Sequence, residues 1–125
     1  MASAGKPSSV LVVEDEDDIR AAIAEILEGE GYDVTIATNG REALEELEDP
    51  RYVPSLILLD LMMPVMNGHE FLAHRQGQAR LREVPVMVLT AVTTDIPSGA
   101  NGLLRKPFSV EELLDAVKQL LPMAA

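Results

Sequence analysis

Five polar residues stand directly after apolar runs, the arrangement by which rigid backbone delivers a carboxylate, a hydroxyl or an amine to one place. Glu14 and Asp15 follow the run at 10–13, Asp60 that at 56–59, Thr90 that at 84–89, and Lys106 the short segment 102–105. Carboxylates gathered together repel and raise one another's pKa unless a cation neutralises them, so three acids at one site imply a metal. Oxygen ligands without His or Cys suit Mg²⁺ (or Mn²⁺), which takes one or two carboxylates, retains waters and shares a phosphate. With a metal and an ammonium to hold the equatorial oxygens, a carboxylate can attack phosphorus and form an aspartyl phosphate. Asp60 is the expected nucleophile, with Lys106 and Thr90 contacting the phosphoryl oxygens.

Each of these residues alone has an ordinary explanation. The acidic run from Glu14 to Asp18 stands at a helix start, where the macrodipole favours negative charge. For Glu16, Asp17 and Asp18, capping and solvation remain the reading. A lone Asp60 can be a turn or cap residue, a lone Thr90 structural, a lone Lys106 a surface charge. Their convergence on one sheet edge is what points to chemistry. His69 and His74 fall on or beside a helix away from the strand ends and read as surface residues.

The positioning elements follow from periodicity. The continuous apolar run at 10–13 is a buried strand, and Ile19, Ala22, Ile23, Ile26 and Leu27 then repeat at helical spacing until Gly29 and Gly31. Residues 32–37 give a more polar second strand with Val34 and Ile36 on one face. Asn39 with Glu42 signals the N-cap of a helix carrying Ala43, Leu44 and Leu47. Strands follow at 56–59, 84–89 and 102–105. Asn67-Gly68 opens a helix with Phe71 and Leu72, and Ser109 with Glu112 forms a capping box for a last helix expected to bury Val110, Leu113, Leu114, Val117 and Leu121. Apolar strands alternating with helices indicate an α/β fold, a doubly wound five-stranded parallel sheet of order 2-1-3-4-5. Such sheets bind ligands beyond the strands' carboxyl ends, at the switch between strands one and three.

The chain has 125 residues, enough for one core and too few for two independent domains. The expected organisation is a flexible tail at 1–9, a domain at 10–122 and a C-terminal tail at 123–125. Formal charge is −11, which opposes binding to nucleic acid, and no apolar run reaches membrane-spanning length. The absence of cysteine removes disulfide and thiol chemistry. Without a hydrophobic signal core, a cytoplasmic location is expected.

Val12-Val13-Glu14-Asp15-Glu16, Leu58-Leu59-Asp60-Leu61-Met62-Met63-Pro64 with Asn67-Gly68, Thr90-Ala91, and Lys106-Pro107-Phe108 together resemble the receiver domain of two-component response regulators, which are flavodoxin-like. The resemblance covers nearly everything after Ser9. It implies that Glu14 and Asp15 hold the metal with Asp60 and the backbone carbonyl of Met62, and that Asp60 is the phosphoacceptor. By the same resemblance Thr90 is the switch hydroxyl, Lys106 binds the phosphate, and the peptide before Pro107 is cis.

Two departures stand out. Leu103 replaces the aromatic residue common three positions before the lysine. The interval from Thr90 to Lys106 is several residues short and carries Pro97, so the helix of that crossover is expected to be missing or reduced to a turn. The resulting expectation is a stand-alone phosphoacceptor, not an enzyme beyond its own phosphorylation and dephosphorylation. It would be phosphorylated by a histidine kinase or phosphotransfer protein and read by a downstream protein, with no nucleic acid or membrane partner. The alternatives are a phosphate-independent interaction module and a metal-dependent phosphohydrolase; against the latter, Met62 stands where a general acid would be needed, two residues after Asp60.

Overall fold

The computed structural model describes residues 8–92 and 95–121. The tails expected at the two ends thus lie largely outside the described residues. Five parallel strands, β1 (Ser9–Val13), β2 (Asp33–Ala37), β3 (Leu56–Asp60), β4 (Val86–Thr90) and β5 (Gly102–Arg105), form one sheet in the order β2-β1-β3-β4-β5. The helices are α1 (Asp17–Gly29), α2 (Gly40–Glu46), α3 (Gly68–Gln76), the single turn α4 (Ala79–Arg82) and α5 (Val110–Leu120).

Alternate residues of the central strands feed two cores, because side chains on a strand point to opposite faces. Val10, Val12, Leu56, Leu58, Met87 and Leu89 pack with Ile23 and Leu27 of α1 and Leu113 and Val117 of α5. Leu11, Val13, Ile57 and Leu59 pack on the other face with Ala43 of α2, Phe71 and Leu72 of α3, and Leu81 of α4. Burial on both faces explains the apolar runs at 10–13, 56–59 and 86–89 of strands one, three and four. The edge strand β2 needs less of this, and its Ile36 is left exposed.

Local chemistry fixes the helix starts. Asn39 Oδ1 accepts from Glu42 N at 2.9 Å, and both Asn67/Glu70 and Ser109/Glu112 form reciprocal capping boxes. Gly68 N donates to Leu61 O at 3.1 Å, and a Cβ at Gly68 would lie 2.8 Å from Asp60 O. Glycine is therefore required for α3 to begin against the end of β3.

Three expectations need correction. β4 begins at Val86 and not Val84: Val84 N bonds back to Leu81 O within the α4 turn, and Pro85 has no N–H to give. Val110 is 51% exposed: it shares the helix face of Leu113 and Val117 but is the first residue of α5, at the helix end where that face is no longer covered. Ala22, counted with the apolar face of α1, is exposed as well. The turn α4 was not anticipated; its four residues carry too short a pattern to register. Between β4 and β5 the described residues contain no helix, in agreement with the shortened crossover.

Candidate functional site

The register β1–β3–β4–β5 brings the polar strand ends together. Glu14 follows β1, Asp60 closes β3, Thr90 closes β4 and Lys106 follows β5. Lys106 N donates to Thr90 O at 2.9 Å, extending the β4–β5 ladder by one step, and the Lys106–Pro107 peptide is cis. Carboxylate oxygens of Glu14, Asp15 and Asp60 lie within 4.8 Å of one another. Lys106 Nζ stands 2.7 Å from Glu14 Oε1 and 3.6 Å from Asp60 Oδ2. His69 and His74 are exposed on α3, away from this cluster.

Glu14 is latched on every side. Its N–H donates to Ala37 O at 3.1 Å, Oε2 accepts from Glu16 N at 3.2 Å, and the residue is fully buried. Oε1 has the ammonium as an ion-pair partner but no hydrogen bond of good geometry. Asp60 is 3% exposed; its Oδ1 accepts from Met62 N at 3.1 Å, which leaves Oδ2 facing the ammonium. Burial, and then the neighbouring Glu14 carboxylate, push Asp60 up to about 7 from the ordinary 3.8, against the lowering effect of the Met62 N–H. Burial alone would lower Lys106, but Glu14, and after it Asp60 and Glu16, more than offset this and hold it above its usual value.

Two details were not legible from the sequence. Glu16, read as solvated, does have an exposed side chain, yet its Oε1 comes within 4.0 Å of Lys106 Nζ. Thr90 is buried, and its Oγ1 accepts from Val92 N at 3.1 Å. Met62 and Val92, whose N–H groups bond Asp60 and Thr90, are themselves 64% and 70% exposed.

The donor set can be tested for a metal. It is all oxygen, it carries three carboxylates against one ammonium, one buried oxygen lacks a hydrogen bond among the described residues, and one acid is pushed upward by burial and by the carboxylate beside it. A divalent cation preferring oxygen answers each of these conditions, so the residues fit Mg²⁺.

Fold and pocket together define a class: a doubly wound α/β protein whose crevice at the strands' carboxyl ends gathers acids around one lysine. The family model for the response regulator receiver domain matches residues 10–118. The chain belongs to this family, and so to phosphorylation-based two-component signalling. It is 39% identical to the transcriptional regulatory protein CpxR homolog of Haemophilus influenzae over 94% of its length and 52% of the relative's. It is 35% identical to the phosphate regulon transcriptional regulatory protein PhoB of Escherichia coli, over 92% of this chain and 54% of that one. The chain thus spans about half the length of the curated relatives it matches. Among solved structures, the chemotaxis response regulator CheY4 of Vibrio cholerae superposes with a TM-score of 0.85 at 34% identity, covering 92% of this chain and 99% of that one. The response regulator protein TrrA of Thermotoga maritima, solved in complex with Mg²⁺-BeF, gives a TM-score of 0.78 at 34% identity over 91% and 99%. No helix among the described residues is long and apolar enough to cross a membrane.

Proposed function

We propose that Asp60 accepts a phosphoryl group from a histidine kinase or phosphotransfer protein in a Mg²⁺-dependent reaction, and that the phosphorylated domain is read through protein contacts. The observation that carries this reading is the Asp60 carboxylate, buried with one oxygen tied to the Met62 N–H and the other turned to Lys106. Oδ2 would form the new O–P bond as the donor's P–N or P–O bond breaks. Lys106 would meet the charge on the phosphoryl oxygens, and Thr90, at the adjacent strand end, would supply a hydroxyl to them. When bound, the metal would supply a positive charge that keeps Asp60 ionised and draws charge from the phosphoryl oxygens. Glu14, Asp15 and Asp60, with the Met62 carbonyl, would hold it.

The chain would act on itself only, with no further substrate. Met62, two residues after Asp60, offers no acid to protonate an ester leaving group, which disfavours a phosphohydrolase. A formal charge of −11 supports output by protein contact over direct contact with nucleic acid. Neither Met62 nor Val92 can orient an attacking water, so the phosphorylated form should decay slowly, over times well beyond seconds.

Phosphotransfer from purified candidate histidine kinases to wild type and Asp60→Asn, with Mg²⁺ or with chelator, tests the proposal. Label on wild type with Mg²⁺ alone is expected. Equal labelling of the variant would move the acceptor elsewhere, and partner binding indifferent to Asp60→Asn and to chelator would favour a phosphate-independent module.

A further inference from the structure

Arg20, on the first turn of α1, takes no part in the chemistry described above, yet its guanidinium reaches back under the acidic loop. Nη1 donates to Glu14 O at 3.0 Å and, at a longer 3.5 Å, to Asp15 O; Nη2 is 2.5 Å from Asp17 Oδ1. The side chain is 13% exposed. Its two backbone partners belong to the residues whose carboxylates meet Asp60. The other ties of Glu14 engage its N–H and both carboxylate oxygens, so Arg20 is the one described partner of its carbonyl.

We propose that Arg20 is a positioning residue for the divalent-cation site, fixing the backbone of Glu14 and Asp15 so that their carboxylates are presented together with Asp60. This rests on the metal reading above. A planar fork of donors suits the task, because it can hold successive carbonyls and a carboxylate at once and stays charged. Partners that orient metal ligands typically change metal affinity by about 10–100-fold when removed.

Coulomb's law alone gives the opposite sign. A guanidinium beside three carboxylates repels an incoming divalent cation, so if Arg20 acted only as a charge, removing it would tighten binding. Orientation and charge are therefore separable by direction of effect.

The measurement is Mn²⁺ binding to the full chain, following free ion by electron paramagnetic resonance, with Mg²⁺ as competitor, for wild type, Arg20→Met, Arg20→Lys and Asp17→Ala. Thermal melts with and without Mg²⁺ accompany each. Arg20→Met is expected to weaken both ions about tenfold or more. Arg20→Lys, which keeps the charge and can still reach one carbonyl, should fall between it and wild type. Asp17→Ala, which removes the ion pair and leaves the carbonyl bonds, should stay within about twofold because that carboxylate is largely exposed. Unchanged or tighter binding by Arg20→Met, or equal weakening by Asp17→Ala, overturns the proposal. If Arg20→Met melts too low to assay, Arg20→Lys decides: affinity equal to wild type's overturns it. Failure of wild type to bind either ion would instead remove the metal reading itself, a result distinct from all of these.

Discussion

Asp60 and Arg75 are equally hidden, each 3% exposed, but the protein treats the two buried charged groups in opposite ways. Arg75, near the end of α3, is surrounded by backbone carbonyls: Nη1 donates to Gly99 O at 3.1 Å, and Nη2 to Arg82 O at 2.7 Å and Val84 O at 2.5 Å. Only its Nε lacks a partner among the described residues. Asp60 has one N–H and one ammonium on its side but sits against two other carboxylates. The first arrangement spends a buried charge on holding chain segments together. The second leaves negative charge under-compensated at the place where a cation and a phosphoryl group would be received. Burial by itself therefore does not mark a functional group; the sign of its neighbours does.

The Arg75 clamp also accounts for how the short β4–β5 crossover is held. Asn101 Oδ1 accepts from Val86 N at 2.8 Å, and Asn101 N donates to Val86 O at 2.8 Å. With Arg75 on Gly99 O, these bonds anchor the end of a segment that has no helix among its described residues.

The largest effect expected from breaking the comparison is at Arg75. Arg75→Met keeps much of the stem's volume but orphans buried carbonyls, and should cost about 3 kcal/mol or more of unfolding free energy in denaturant melts. A loss below 1 kcal/mol would mean that water replaces the clamp.

Asp60→Asn should act in the reverse direction. Because Asp60 titrates near 7 when folded against 3.8 ordinarily, its contribution to stability is complete below about pH 4 and is lost as pH rises to about 7. In chelator at pH 8 the variant should be more stable than wild type by on the order of 1 kcal/mol or more, and the gain should shrink toward pH 4. Mg²⁺ should narrow the gap at pH 8 by stabilising wild type. A variant equally stable at every pH would show that Asp60 is under no electrostatic pressure.

Smaller effects calibrate the neutral ties near the site. Ser109→Ala removes one half of the α5 capping box just after Lys106 and should cost about 1 kcal/mol, read in the same melts. Val65 is exposed at φ +70°, where the Met66 N–H closes on Pro64 O at 2.8 Å in a strained γ-turn. Val65→Gly relieves that strain while loosening the unfolded chain, so the net gain should be only about 0.5 kcal/mol. A loss would show the turn to be held by the Val65 side chain.

The central strands could be read from their apolar runs, and the acidic cluster with its lysine from the residues that end them, because both are set by local sequence and by the order in which parallel strands assemble. Val110 misled because helical periodicity does not say where the sheet stops covering a helix. Arg75 and Arg20 carried no signal. An arginine that bonds carbonyls 24 residues away, as Arg75 does at Gly99, looks in the sequence like any charged residue on a helix. Arg20 lies within six residues of its partners, but carbonyls are present everywhere and leave no pattern to match. The approach of Glu16 to Lys106 depends on side-chain reach in the folded loop, which residue spacing does not encode.

The most direct test of Asp60 as phosphoacceptor is the intact mass of the protein after incubation with acetyl phosphate and Mg²⁺. Wild type should gain the mass of a single phosphoryl group, while Asp60→Asn and a chelator-treated sample should gain none. An unmodified wild type after acetyl phosphate and every kinase donor tried, or a variant modified as fully as wild type, would contradict the account.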